Sequence, residues 1–555
     1  MKRQLYYGDN LIVLKESIKD ESVDLIYLDP PFNSQKDYNT VFGADSQIKA
    51  FEDTWQWGEE TSRNLDLLSR EYASIYELLY CVKNNIGENS LSAYCVMMAP
   101  RLMELKRVLK TTGCIFLHCD DSASHYLKII MDTIYGRDNF IKDLIWKRTG
   151  AHSGTKGFGR IHDNILIYSK TNNYTWNTVY TDYSPEYINE HFNHKDESGR
   201  AYQAITLTGP GKTKGDSGKS WRGIDPSEKG RHWAIPSNLP GVLEIPSQTQ
   251  EALDFLDNLG RIHWPKKIGT PRLKSYLDEG LGVQAQDIIL DIKPLSAHSA
   301  ERLGYPTQKP VKLLERIIKS SSNIGDVVLD PFCGCGTAIE AAEKLERQWI
   351  GIDITHLAIA LVEQRLNAGF RHVENFKYEV FGTPKDLDSA KDLASKYPFQ
   401  FQYWACSLLY ARPYEKPKSF FGPPQKGADG GVDGVIYFND EGEKAKNKKI
   451  IISVKGGTTI GLKEVRELHG TMIHEKAPLG FFVTLTKPTR PMKTFAAASG
   501  IYRSYDRDVP VIQIVTIEDL LNSKYPIMPN DFTMGNQTFK SNKPVTSEKE
   551  TRDLF

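Results

Sequence analysis

Apolar positions in this chain fall into short runs of strand length, separated by stretches with helical spacing. Leu5 to Tyr7, Val23 to Leu28, Cys114 to His118, Phe140 to Trp146, Val327 to Leu329 and Trp349 to Ile352 each read as a buried strand. Between them, helical spacing appears at Leu11, Leu14 and Ile18 and in a run from Leu91 through Met97, Arg101 and Leu105 to Leu109. It returns at Leu313, Leu314, Ile317 and Ile318 and over Ala338 to Leu345. Strand and helix alternating in this way predict an α/β fold around a parallel sheet. The period lapses over residues 40–90, which are polar and aromatic-rich, and again from Lys147 to about Gln286, which is rich in Gly, Ser, Asn and Pro. Past Gly382 a second alternation begins. It has a helix around Phe401 to Ala411, strands at Val435 to Phe438 and Ile450 to Lys455, and a further run at Gly480 to Thr484. A smaller α/β domain is predicted there, followed after Met528 by a polar, solvated tail.

Chemistry collects where the strands stop. The first ends at Gly8-Asp9 and the second at Asp29-Pro30-Pro31-Phe32, where two prolines break the strand abruptly. Asp9 suits a helix N-cap, which does not exclude a second role. Asp29 can accept a hydrogen bond from an amino group, the proline-fixed turn can aim a carbonyl at the same group, and Phe32 can stack on a flat ring. In open α/β sheets ligands bind at that edge. Later, Asp330-Pro331-Phe332-Cys333-Gly334-Cys335-Gly336-Thr337 leads from strand to helix, and Asp353 ends the next strand. Glycines there let the backbone approach a ligand, and the acid can take ribose hydroxyls. This loop has neither a phosphate-cradling Gly-Lys-Ser/Thr nor the Gly-x-Gly-x-x-Gly of dinucleotide binders, so it suits a nucleoside with little phosphate. Cys333 and Cys335 have no second pair at zinc spacing and read as turn-filling; His118 and Cys119 read as structural for the same reason.

Composition narrows the class. Lys+Arg and Asp+Glu both total 70 in 555 residues, so nucleic-acid binding has to come from local patches. In the 147–286 region, Lys147-Arg148, Lys156, Arg160, Lys212, Lys214, Trp221-Arg222 and Arg231-His232-Trp233 interleave basic with aromatic residues, which suits phosphates and base edges as well as a solvated, variable insertion of no function. The seven irregularly spaced cysteines fit reduced thiols. With no signal pattern and no apolar stretch near the roughly 20 residues of a membrane span, a cytoplasmic protein without membrane contact is expected.

Taken in order, Asp29–Phe32, Thr307-Gln308-Lys309-Pro310 and Phe332–Gly336 make the chain resemble the permuted beta-class DNA amino-methyltransferases over roughly residues 1–380. The resemblance implies a Rossmann-like, circularly permuted S-adenosylmethionine-dependent methyltransferase sheet. Its catalytic part would be residues 1–146, an inserted target-recognition region 147–290, and the cofactor-loop part 291–382. It implies double-stranded DNA as substrate and Asp29, Pro30, Pro31 and Phe32 as the catalytic motif. Phe332, Gly334, Gly336 and Thr337 would line the methionine end of the cofactor, Asp353 would hold its ribose, Asp9 would reach its adenine, and Lys309 would sit nearby. Asp rather than Ser at the first motif position favours adenine N6 over cytosine N4 as the target. The chemistry agrees: acceptors on both amine protons localise the lone pair as it attacks, and the base must flip out to reach the pocket.

Asp429-Gly430-Gly431-Val432-Asp433-Gly434, Ser453-Val454-Lys455 and the Gly480 run resemble the Mrr-type restriction-endonuclease-like domain, a PD-(D/E)xK-like fold, here placed at 383–528 with the tail at 529–555. That resemblance implies Mg²⁺ on Asp433 and a water-orienting Lys455. Ser453 departs from the family's Glu or Gln, and Trp404 and Cys406 stand where an acid is common, so cleavage or DNA binding alone both stay open. The implied whole is a restriction–modification or defence protein, acting as a homodimer or with further subunits.

Overall fold

The computed structural model describes residues 2–31, 37–42, 46–52, 57–150, 157–237, 239, 241–242, 244–265, 269–296, 299, 301–303, 305, 307–370, 373, 376–409, 411–413, 432–438, 448–457, 459–504 and 507–529. Phe32, Lys156, Gly427–Gly431 and the tail beyond Pro529 lie outside the described residues.

The first part of the chain supplies β1 (Arg3–Tyr7), α1 (Asn10–Ser17), β2 (Val23–Leu28), α2 (Ser90–Val108), β3 (Leu109–Cys119), β4 (Phe140–Lys147) and β5 (His162–Ser169). After the insertion come β6 (Ile288–Ile289), α3 (Val311–Ser321), β7 (Val327–Asp330), α4 (Thr337–Lys344), β8 (Gln348–Asp353), α5 (His356–Phe370) and β9 (Glu379–Phe381). These strands form one nine-stranded sheet in the order β6-β4-β5-β3-β2-β7-β8-β1-β9. All neighbouring pairs are parallel except those of β5, which runs against β3 and β4. The late strands β7 and β8 sit between the early strands β1 and β2, which is the circular permutation. Strand β5 corrects the expectation that the insertion begins at 147: the apolar run Ile165 to Tyr168 is short and flanked by polar loops, so its period is weak, yet it is fully inside the sheet.

The sheet is buried on both faces, as its continuous apolar strands require. In β2, Leu25 and Tyr27 join the core under α3, α4 and α5, while Val23, Ile26 and Leu28 join the core under α1 and α2. Its one polar interruption, Asp24, is bonded rather than exposed: it pairs with Lys110 at 2.8 Å and accepts the Val327 N–H at 2.9 Å.

Residues 178–286 form a separate compact unit among the described residues. Its core gathers Leu207, Trp221, Trp233, Leu253, Leu256 and Leu273. Trp221 and Trp233, aromatics of the segment that suits phosphates and base edges, are thus core residues: Trp221 gives its N–H to Asp254, Trp233 gives its own to the Lys219 carbonyl, and Arg231 bonds Thr208. The two tryptophans fill this core together with its leucines. Lys212 and Lys214 remain exposed.

The C-terminal region has α6 (Leu387–Lys396), α7 (Pro398–Leu408), β10 (Arg412–Pro413), β11 (Gly434–Phe438), β12 (Lys448–Lys455), α8 (Leu462–His474), β13 (Leu479–Thr484), α9 (Arg490–Ala498) and β14 (Ile512–Thr516). These five strands form one sheet in chain order, antiparallel up to β12 and parallel from β12 through β13 to β14, and residues 501–504 and 507–510 pair as a separate antiparallel hairpin. One face is covered by α6 and α7, the other by α8 and α9. Among the described residues no helix is long and apolar enough to cross a membrane.

Candidate active site

Because β1, β2, β7 and β8 are parallel and adjacent, their carboxyl ends open on one edge, and there the acids read from the sequence meet. A cavity of about 940 Å³ is lined by Asp9, Asp29, Asp330 and Asp353 from the four strand ends, with Pro30, Pro31, Lys309, Phe332, Gly334 and Thr337. Of the residues assigned to the catalytic and cofactor sites, Gly336 adjoins this lining without being part of it, and Phe32 is not described.

Asp29 is held by Lys309, whose ammonium lies 2.6 Å from Oδ2. Lys309 also donates to the Thr307 carbonyl at 3.4 Å, and Thr307 has φ +59°, a strained value for a β-branched residue. The other carboxylate oxygen, Asp29 Oδ1, is buried without a hydrogen-bond partner among the described residues. A buried acceptor left open in that way costs stability unless a ligand donor fills it. Lys309 therefore sits against the Asp29 carboxylate, a finer placement than its sequence position allowed.

Asp9 is the N-cap of α1, accepting from Leu11 N at 2.9 Å and Ile12 N at 3.3 Å, while Oδ2 takes the Arg101 guanidinium at 2.7 Å. Arg101 also donates to Asn10 Oδ1, and Asn10 Nδ2 donates to the Pro331 carbonyl at 2.9 Å. The chain from α2 through β1 to the loop after β7 is thus stitched by Arg101 and Asn10, two residues the sequence reading gave no role in the site. The signal was available only as an Arg on the inner face of an otherwise apolar helix.

The glycine loop holds the next wall. Asp353 accepts the Gly334 N–H at 3.0 Å and both the N–H and hydroxyl of Thr355 at 2.9 Å. Burial raises its pKa against those bonds. Gly334 has φ +48° and a Cβ there would lie 3.0 Å from the Tyr305 ring; Gly336 has φ +78° and a Cβ would lie 2.9 Å from Val362. Both positions are therefore closed to side chains. Asp330, fully buried, is pushed well above the usual carboxylate range by burial. Beneath the cavity, Tyr27 shares a 2.9 Å hydrogen bond with His118 Nδ1, and His118 Nε2 lies 3.1 Å from Asp163, all three buried. That network makes His118 structural, and burial keeps its pKa low. Cys333 and Cys335 are free and buried, and no metal-ligating cluster occurs among the described residues.

The donor set fits a cationic nucleoside ligand better than a phosphate. Four carboxylates, one of them with an open acceptor, surround a glycine loop, and the volume lies near the upper end of the roughly 300–1,000 Å³ typical of ligand sites.

In the C-terminal region, Asp433 reaches the predicted strand end: its Oδ2 accepts the Val454 N–H at 2.6 Å, between Ser453 and Lys455. Ser453 is buried. With one carboxylate, already bonded to backbone, the described residues there do not fit a Mg²⁺ site.

Comparison with known proteins is consistent with this geometry. A family model described as DNA methylase matches residues 23–364, and one described as restriction endonuclease matches residues 393–522. The chain is 29% identical over 365 residues to the type II methyltransferase M.EcaI of Enterobacter cloacae, covering 65% of this chain and 69% of that protein. It is 28% identical over 358 residues to the StyLTI Mod subunit of a type III restriction–modification enzyme from Salmonella typhimurium, covering 61% of this chain but only 50% of that subunit. Among solved structures, the M1.HpyAVI–SAM complex aligns over 66% of this chain and 98% of its own, at 16% identity and a TM-score of 0.30. At that score the likeness carries no weight beside the sheet order itself.

Proposed function

Because this chain belongs to the DNA methylase family, with a restriction-endonuclease domain following it, we propose that it transfers a methyl group from S-adenosylmethionine to the exocyclic N6 of adenine in DNA. The observation that carries this is the buried, open Oδ1 of Asp29 at the floor of the cavity, with Oδ2 anchored by Lys309. When bound, S-adenosylmethionine supplies an electrophilic sulfonium methyl. Asp29 Oδ1 and the Pro30 carbonyl accept the two amine protons of the flipped base. Those bonds draw the nitrogen lone pair out of the ring as it attacks. Lys309 keeps the carboxylate oriented, and the glycine loop with Asp353 holds the nucleoside of the donor. Asp at the head of the Asp29-Pro30-Pro31 motif supports adenine as target.

Double-stranded DNA is the proposed substrate, met by the 178–286 unit, and the Mod relatives support partner subunits. The C-terminal domain is proposed as a DNA-engaging module; since its described residues do not make a Mg²⁺ site, no hydrolytic step is assigned to it. Digestion of methylated DNA to nucleosides tests the main reading: N6-methyladenine is expected, and N4-methylcytosine alone would replace the target assignment. Mg²⁺-dependent cleavage that disappears in Asp433→Ala would overturn the reading of the C-terminal domain.

A further inference from the structure

The cavity has one wall from outside the methylase part. Phe399, Gln400 and Tyr403 line it, and all three lie on α7, inside the segment matched as restriction endonuclease. The helix has two faces. Phe401, Trp404, Ala405 and Leu409 are buried in the core of the C-terminal sheet together with Ile436, Ile450 and Phe481. Phe399, Gln400 and Tyr403, spaced by one and three residues, look the other way. That places a single rigid helix in the hydrophobic core of one domain and in the ligand wall of the other.

Two features of that wall point to a ligand. Gln400 Oε1 is buried with no hydrogen-bond partner among the described residues, although its helix could have turned any apolar side chain there. Phe399 is 72% exposed at the cavity, a flat apolar face with nothing over it among the described residues. The helix is also anchored to the methylase part: α7 packs on α5, which begins just after the cavity residues Asp353, Ile354 and Thr355. Upstream, β9 pairs with β1 in parallel register, Gln4 with Glu379 and Tyr6 with Phe381. The chain joining the domains is therefore tied to the sheet edge until shortly before α6.

We propose that α7 is a shared wall, with Gln400 Oε1 accepting a hydrogen bond from the bound methyl donor and Phe399 covering its nucleoside. Occupancy of the donor cavity and docking of the endonuclease domain then become one coupled equilibrium. This rests on the reading of the cavity as the methyl-donor site. A ligand that contacts both domains binds the docked form more tightly than an undocked one, and by linkage it stabilises docking by the same factor. The C-terminal domain would be held in place when donor is present and released when it is not.

The test uses the full chain and S-adenosylhomocysteine, the demethylated and chemically stable form of the donor. Its dissociation constant is measured by calorimetry for wild type, Gln400→Ala, Phe399→Ala and the surface control Lys391→Ala. Hydrogen exchange over residues 398–408 is followed with and without ligand. Loss of one buried acceptor predicts an affinity about tenfold weaker for Gln400→Ala, a smaller loss for Phe399→Ala, and none for Lys391→Ala. Ligand should slow exchange in α7 of wild type, and less so in Gln400→Ala. Phe399→Ala removes an exposed side chain, so it keeps the test open if Gln400→Ala folds poorly. Unchanged affinity in both α7 variants, with exchange in α7 indifferent to ligand, overturns the shared wall while leaving the methyltransferase reading intact. Failure of wild type to bind overturns both.

Discussion

Replacing Asp29 by Ala should do two separable things. Chemically, it removes a buried carboxylate acceptor that has no partner among the described residues, and loss of a single preorganised group of this kind costs about 10²–10³ in rate. Structurally, it strips a carboxylate partner from Lys309, which is only 5% exposed. Charges 2.6 Å apart attract by roughly 6 kcal/mol at an effective dielectric of about 20, most of it offset by desolvation. The pair itself is thus nearly neutral, whereas leaving a buried ammonium without it costs about 3 kcal/mol or more. Asp29→Ala alone cannot tell a catalytic loss from a folding loss, but Asp29→Ala/Lys309→Met can. The double variant should recover most of the urea midpoint lost by the single one and none of the methyl transfer. Single-turnover transfer from labelled S-adenosylmethionine, read beside unfolding curves, gives both quantities. Methyl transfer that returns together with stability would refute the catalytic assignment, as would a single variant retaining more than about a tenth of the wild-type rate.

Two further perturbations probe the walls. Gly336→Ala forces a side chain onto φ +78° and against Val362 at 2.9 Å; stability should fall by about 1–3 kcal/mol and donor affinity by about tenfold. Trimming the neighbour in Gly336→Ala/Val362→Ala should return part of the stability, and a full return would show that φ carries no cost there. His356 is stacked on Tyr7 at 3.7 Å and burial lowers its pKa to about 3. Below its ordinary value of 6.5 the unfolded chain takes up a proton that the folded one refuses, so stability falls as pH falls. At pH 5 the loss is about 2 kcal/mol, from roughly 1.4 kcal/mol per unit. His356→Phe should flatten the urea midpoint between pH 7.5 and 5, and an unaltered slope would refute the assignment.

Local pattern was enough to place every strand end that carries an acid at the cavity. Period and termination are properties of a few consecutive residues: a largely apolar run closed by Asp-Pro-Pro ends a strand wherever it lies. A glycine loop after a buried strand likewise faces the ligand edge of any parallel sheet. What the pattern could not supply was the partner of each group. Lys309 meets Asp29 across 280 positions of sequence, and Arg101 meets Asp9 because α2 packs beside α1. Neither follows from spacing. Trp221 and Trp233 stand in the sequence among basic residues that suit DNA contact, yet both lie in the core of the 178–286 unit. The two faces of α7 were equally hidden, since Phe399, Gln400 and Phe401 are all ordinary residues at a helix start. Only the packing of one helix between two sheets decides which of them is core and which is wall. Secondary structure reports what a residue does to its own backbone, whereas burial and partners depend on which distant segment fills the space beside it.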